Sequence, residues 1–244
     1  MNSKPDLQPL RPSVKSGGWR DHNDEAIDQA YVDVRRAVLQ RDTYTCQYCG
    51  FRSVPTPGQS PVTNLASGYL QVHHVNDDHT DNRLENLVTV CPFCHQVFHV
   101  GNAGYNGNAV AIYLPDLTQQ QLNLLVNSLA VAAAREPKDA TNPRVKTGAT
   151  RLYNTLRRLD KPLDDAVEIE NTPISDLKNL AGSLMLLKGE NTDLVLANVR
   201  VLPNIDSFRE SVLYWSDRTW LAGPNWEEEW RQIHKTWKNE ENNG

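Results

Sequence analysis

All four cysteines of the chain fall into two CxxC pairs, Cys46 with Cys49 and Cys91 with Cys94. Four thiolates spaced in this way can surround one Zn²⁺ tetrahedrally, because each CxxC turn lets both sulfur atoms face the same point. A redox pair is one alternative. Unrelated buried cysteines are another, but they would leave the repeated spacing unexplained. The pattern therefore predicts a structural Zn²⁺ site.

Five of the seven histidines lie within residues 70–99, around the second cysteine pair. His73 and His74 are adjacent in a predicted strand, so their side chains point to opposite faces and each needs its own explanation. Imidazole is both a common metal ligand and a base near neutral pH. The group could therefore bind a second ion and support hydrolysis, or consist of ordinary fold residues.

Composition narrows the class of protein. The 244 residues carry a formal charge of −5 and suffice for one large or two small globular domains. This charge argues against a protein coated in nucleic acid. Near the first cysteine pair, Arg35, Arg36, Arg41 and Arg52 could approach phosphates, but surface charges are an equally good explanation. Since neither a membrane span nor an apolar signal sequence stands out, we expect a soluble, cytoplasmic protein.

Short strands and helices must position these residues. "YLQVHHV" and "NLVTV" predict two strands joined by a polar turn, and a short helix should carry "CHQVFHV". A helix is expected before the first cysteine pair, beginning near Asn23. A further strand is expected at "AVAIYLP", and the clearest helix follows, with Thr118 and Gln121 in a capping-box pattern. Later segments, including "TDLVLANV", have helical patterns. The fold class is therefore α+β.

The order CxxC, His-His, Asn, CxxC-His between Cys46 and His99 resembles the HNH, or ββα-metal, nucleases. The resemblance implies that His74 is the general base and that Asn86 braces the loop between the strands. It also implies His73 and His95 as ligands of a catalytic ion. His99 could be a third ligand, because it lies four residues after His95 and therefore on the same face of the helix. Mg²⁺ is our first expectation for this ion, with Zn²⁺, Mn²⁺ and Ni²⁺ as alternatives.

Several longer stretches, spread from Gly17 to Trp215, resemble the IcmJ (DotN) family of type IVB secretion systems. They are "GGWR", "RDTYTCQYCGFRS", "NRLENLVTVCPFC", "AIYLPDLTQQQLN" and "VLPNIDSFRESVLYW". The resemblance implies a zinc-bearing adaptor subunit of the coupling complex, held at the inner face of the inner membrane through a coupling ATPase. An active HNH endonuclease acting on DNA is the alternative, and a DNA-binding zinc module without catalysis is a third hypothesis.

The expected organisation is an extended arm over residues 1–23, a zinc-bound HNH-like domain with flanking helices over 24–135, and a helical portion over 147–244. Near the C-terminus an apolar, aromatic stripe is predicted at helical spacing, formed by Trp226, Trp230, Ile233 and Trp237. It could pack on the protein's own helices or bind a partner. Asp77 and Asp78 in the polar turn would repel phosphate, which counts against DNA cleavage.

Overall fold

The computed structural model of the chain describes residues 4–14, 29–134, 143–166, 172–187, 192 and 196–218. Within this part the helices are α1 (Gln29–Arg41), α2 (Asn64–Ser67), α3 (Pro92–His95), α4 (Val100–Tyr105), α5 (Gln119–Ala134), α6 (Pro143–Arg157), α7 (Asp160–Ala166), α8 (Leu177–Leu187) and α9 (Arg209–Arg218). The strands are β1 (Gln71–His74), β2 (Leu87–Val90), β3 (Ala109–Tyr113) and β4 (Val199–Pro203). The predicted α+β class is confirmed.

An antiparallel hairpin and a short helix form the part of the fold that carries the histidines. β1 pairs with β2, so that His73 lies opposite Val88 and His74 opposite Leu87. Both strands are buried along nearly their whole length, which suits the β-branched residues at Val72, Val88 and Val90. α3 follows β2 after a single residue, Cys91. The result is the ββα order predicted from the sequence.

Helix α5 begins as its capping residues predict. The backbone amide of Thr118 donates to Oε1 of Gln121 at 2.8 Å, and the amide of Gln121 donates to Oγ1 of Thr118 at 3.2 Å. The helix is buried on most sides, including Leu122, Val126 and Leu129. It therefore forms the central support against which the metal-site region and the later helices pack.

Strand β4 is not predicted by the sequence pattern: the helical run "TDLVLANV", in which Thr192 and Leu196 are helical, ends at Val199, and no element is expected for residues 200–203. β4 begins at Val199 and pairs antiparallel with β3, with Ala111 opposite Val201. The buried side chain of Gln119 extends this pairing, because its amide group both donates to and accepts from the backbone of Val201, each at 2.8 Å. The later portion is therefore joined to the earlier one by a two-stranded sheet as well as by helix packing.

Helix α9 returns to the cysteine-bearing region. Trp215 is fully buried, and its indole contacts Phe51 and Phe93 edge-on at ring-centroid distances of 4.8 and 5.7 Å. Its Nε1–H donates to the carbonyl of Gly68 at 3.0 Å. Phe51 and Phe93 are close neighbours of the cysteines in sequence. One tryptophan thus links the late helix to both CxxC segments.

Part of the predicted N-terminal arm packs against the protein without forming a helix or a strand. We call residues 4–14 the N-terminal strap; its Leu10 and Pro12 are buried. The "GGWR" stretch, the Asn23 cap and the predicted tryptophan stripe lie outside the described residues. Among the helices that the structure describes, none combines the length and apolar character of a membrane span.

Candidate metal centres

The four predicted cysteines converge on one buried point. Their sulfur atoms all lie within 4.8 Å of one another, and Sγ of Cys49 lies 3.7 Å from Sγ of Cys91. Tetrahedral Zn²⁺ with Zn–S bonds of about 2.3 Å places its sulfur ligands about 3.8 Å apart. The separation of this pair therefore fits zinc without any change of backbone. The four residues form a metal-binding group of the structural, fully enclosed kind.

Local turns bring each sulfur pair inward. In the first pair, the amide of Cys46 donates to the carbonyl of Phe51 at 2.8 Å, and Gly50 takes a φ of 75° that closes the turn. In the second pair, Cys91 is the N-cap of α3, and its sulfur accepts the amide of Cys94 at 3.4 Å. A sulfur that accepts a backbone amide is better stabilised as a thiolate.

The acidity of the thiols shows why this group suits a cation. Burial raises the pKa of the Cys49 and Cys94 thiols well above their ordinary value, and hydrogen bonding to Cys46 adds to the increase. Burial opposes ionisation of Cys46 as well, but hydrogen bonds from the other three thiols outweigh it and hold its pKa well below the usual range. Four thiolates together would repel one another, and a divalent cation removes that obstacle.

Two buried asparagines on α5 complete the surroundings of the cysteines. Nδ2 of Asn123 donates to Sγ of Cys94 at 3.3 Å and to the carbonyl of Phe93 at 3.2 Å. Nδ2 of Asn127 approaches Sγ of Cys91 at 3.7 Å. Neither residue is singled out by a motif, although two amides spaced four apart on an apolar helix are a usable signal. Such donors orient metal ligands and offset their negative charge.

A second group consists of His73, His95 and His99, of which His95 directly follows Cys94 in the chain. One ring nitrogen from each residue lies within 4.8 Å of the others. His73 is buried and stacks on Phe98 at a centroid distance of 4.3 Å, while the rings of His95 and His99 are 4.7 Å apart. The three predicted ligands are therefore brought together. Their imidazoles suit Zn²⁺, Ni²⁺ or Mn²⁺; the expectation of Mg²⁺ gains no support, because Mg²⁺ prefers oxygen ligands.

The predicted base, His74, lies apart from this group on the other face of β1. It is only 4% exposed, and its Nε2 forms a 2.9 Å hydrogen bond with Oδ1 of Asn82. The ring also stands 5.0 Å from that of His79 and parallel to that of Tyr31 at 6.2 Å. For His74 to take a proton from an attacking water through Nε2, the Asn82 contact would have to open. Nothing in the sequence pattern indicated this contact.

Asn86 braces the loop between β1 and β2. Its Oδ1 accepts the amide of Asn76 at 3.0 Å, and its Nδ2 donates to the carbonyl of Asp81 at 2.8 Å. The backbone carbonyl of Asn86 also accepts the amide of Val75 at 2.8 Å. The side chain thus holds both ends of the loop that follows His74. This geometry agrees with the bracing role that the HNH resemblance implies.

The loop itself is acidic and ordered by its own side chains. Hydrogen bonds from the Thr80 hydroxyl and amide lower the pKa of Asp78, and pairing with Arg83 lowers that of Asp81. Both carboxylates are therefore charged at neutral pH, and they lie in the loop that directly follows His74.

The arginines near the first cysteine pair are mostly engaged in the fold. Arg41 donates to the carbonyls of Leu84 and Leu87, both at 2.7 Å, and pairs with the buried carboxylate of Asp42. Arg35 donates to two backbone carbonyls, and burial lowers its pKa. Arg36 and Arg52 remain exposed at the surface. Of the four arginines that could approach phosphates, Arg35 and Arg41 therefore stabilise the fold by binding backbone carbonyls.

Comparison with known proteins agrees with this geometry. A profile described as HNH endonuclease matches residues 46–100, the segment that contains both metal-binding groups. The type 4 apparatus protein DotN of Legionella pneumophila is 31% identical over 215 residues, which cover 85% of this chain and 89% of DotN. The chain belongs to the DotN (IcmJ) family. The HNH-like region of this DotN-family chain is thus one part of a similarity that extends over most of its length.

Proposed function

We propose that the chain is an accessory subunit of a type IV secretion or conjugation apparatus, stabilised by zinc at its four cysteines. The observation that carries this proposal is the similarity to DotN over 85% of the chain. A likeness confined to the HNH segment would argue only for a shared metal-binding fold, whereas this one extends far beyond residues 46–100.

The finer proposal is that the subunit acts as an adaptor in substrate delivery. It binds a coupling ATPase and other coupling-complex subunits, and this attachment brings it to the inner face of the inner membrane. The fold supports such a role, since Trp215, Asn123 and Asn127 build the cysteine centre into helices far along the chain. A metal held in this way stabilises a scaffold, because it joins segments that are distant in sequence.

Binding to the ATPase tests the adaptor proposal. Full-length, zinc-loaded protein is titrated by calorimetry with the cytoplasmic tail of the coupling ATPase from the same organism, and with the tail of an unrelated ATPase. Saturable binding to the cognate tail alone is expected. If overlapping segments that span the whole cytoplasmic part of the cognate ATPase all fail to bind, the adaptor proposal is wrong.

A second candidate function is a metal-dependent HNH endonuclease acting on DNA. It is favoured by the convergence of His73, His95 and His99, which could hold a divalent ion of the kind that neutralises charge on a phosphate. Asn86 would fix the loop, and His74 would accept the proton of the attacking water once its bond to Asn82 opens. The buried, hydrogen-bonded state of His74 and the acidic loop beside it make this the less supported function.

Plasmid cleavage separates the two functions. Wild-type protein, His74→Ala and His99→Ala are incubated with supercoiled plasmid and Mn²⁺ or Ni²⁺. An endonuclease predicts nicking by the wild type that both variants lose, because one lacks the base and the other a metal ligand. Equal nicking by all three proteins would point to a contaminant, and no nicking by any would exclude catalysis under these conditions. The adaptor proposal depends on neither result.

A further inference from the structure

The N-terminal strap reaches the histidine group through one residue, Ser13. The Ser13 amide donates to the carbonyl of Val97 at 3.0 Å, and the Ser13 carbonyl accepts the amide of Val100 at 3.2 Å. Its hydroxyl donates to the carbonyl of Phe98, also at 3.2 Å. Val97 and Phe98 stand between His95 and His99 in the chain, and Val100 follows directly. Ser13 is therefore bonded to the backbone that carries two of the three histidines.

These backbone groups need an outside partner because the helix is broken at His99. A 3₁₀ turn spans Gln96–His99, and His99 takes φ and ψ angles of −131° and 47°, which are not helical. In an unbroken α-helix, the amide of Val100 would bond to the carbonyl of Gln96. Here it bonds to Ser13 instead. The strap thus supplies hydrogen-bond partners where the break would otherwise leave helix ends unsatisfied.

The strap is held firmly enough to fix this geometry. Leu10 is only 3% exposed and Pro12 is buried, so the segment just before Ser13 is anchored in the core. At the other end, Nζ of Lys4 donates to Oε1 of Gln47 at 2.8 Å, between the first two cysteines. The strap therefore spans from one metal-binding group to the other.

We propose that Ser13 is a positioning residue for the histidine centre. By holding the break at His99, it directs the His99 imidazole towards His73 and His95. This inference rests on the second-ion site proposed above, and it assigns a role to a segment outside the HNH-like region. Partners that orient metal ligands typically contribute about 10- to 100-fold to metal affinity.

Metal titration of full-length variants tests the inference. The cysteine site is first filled with zinc, and Ni²⁺ binding is then measured by calorimetry while the zinc content is followed by mass spectrometry. Ser13→Pro removes both the amide hydrogen and the hydroxyl, Ser13→Ala removes the hydroxyl alone, and Ser13→Thr keeps both. Gln8→Pro is the matched control, since it places the same residue at an exposed position of the same strap. His99→Ala removes a ligand outright.

We expect Ser13→Pro to weaken Ni²⁺ binding about tenfold or more, Ser13→Ala about fivefold, and His99→Ala most of all. Ser13→Thr and Gln8→Pro should bind as the wild type does, and all variants should retain one zinc. Wild-type affinity in both Ser13→Ala and Ser13→Pro would overturn the inference. If Ser13→Pro loses its zinc through misfolding, the Ni²⁺ affinities of Ser13→Ala and Ser13→Thr decide. A weaker affinity in Ser13→Ala supports the inference, and equal affinities overturn it. Absence of Ni²⁺ binding in the wild type would overturn it together with the second-ion site, leaving the adaptor proposal intact.

Discussion

Replacement of Trp215 by alanine should strongly destabilise the protein. The indole is fully buried against Phe51 and Phe93, and its N–H is bonded to the carbonyl of Gly68. Truncation of a buried aromatic residue costs about 3–5 kcal/mol of unfolding free energy, which includes the cavity it leaves. Loss of the indole donor leaves the Gly68 carbonyl unpaired and places the expected cost of Trp215→Ala towards the upper end of that range.

A smaller change separates packing from hydrogen bonding. Trp215→Phe keeps an aromatic ring but removes the N–H donor, so we expect a loss of about 1–3 kcal/mol. Leu213→Ala is the matched control in the same helix, because that side chain is 46% exposed and should cost no more than about 0.5 kcal/mol.

Urea denaturation of the zinc-loaded protein measures these differences, and a chromogenic zinc chelator measures release of the ion. Because Phe51 and Phe93 flank the cysteines, Trp215→Ala should release zinc faster than the wild type, whereas Leu213→Ala should not. A cost below about 1 kcal/mol for Trp215→Ala would refute the argument, since it would mean that α9 does not support the cysteine region.

Other positions give independent tests. Asn86→Ala should lower the unfolding free energy in urea denaturation by about 1–3 kcal/mol and speed hydrogen exchange in the loop between β1 and β2, because the backbone groups of Asn76 and Asp81 lose their side-chain partner. Unchanged exchange would contradict the bracing role. Gly104→Ala should cost about 1–3 kcal/mol, since its Cβ would lie 2.7 Å from the amide nitrogen of Lys178. Gly148→Ala should instead stabilise the protein by about 0.5–1 kcal/mol, because the space around Gly148 in α6 is open. Equal effects of the two changes would refute the close contact between Gly104 and Lys178. Asp42→Asn should lower the unfolding free energy by about 3 kcal/mol, measured by thermal or urea denaturation, because it weakens the buried ion pair with Arg41. An unchanged unfolding free energy would contradict this expectation.

The sequence predicted the site better than it predicted the surrounding fold. The cysteine spacing, the His-His strand and the capping residues of α5 each follow a local rule, and the structure brings the corresponding elements together. In contrast, β4 lies in a short apolar run whose periodicity does not distinguish strand from helix, and its partner β3 is distant in the chain. No local pattern could therefore identify it.

The remaining gaps concern contacts between distant segments. The bond between His74 and Asn82 depends on how the loop folds back, and the contacts of Ser13 depend on where the strap lies. Asn123 and Asn127 were more accessible to sequence reasoning, since buried amides on an apolar helix need partners. Long-range hydrogen bonds of this kind are decided by tertiary packing, which a single sequence does not display.

Zinc X-ray absorption on protein loaded with one equivalent of Zn²⁺ tests most directly whether the four cysteines hold a structural zinc. The structure predicts four sulfur scatterers at about 2.3 Å, because the four sulfur atoms are gathered within 4.8 Å of one another. The same measurement on Cys91→Ser should show that a sulfur has been lost from the shell, with a lower thermal unfolding temperature. A wild-type spectrum dominated by nitrogen or oxygen ligands, or one unchanged in Cys91→Ser, would contradict the assignment.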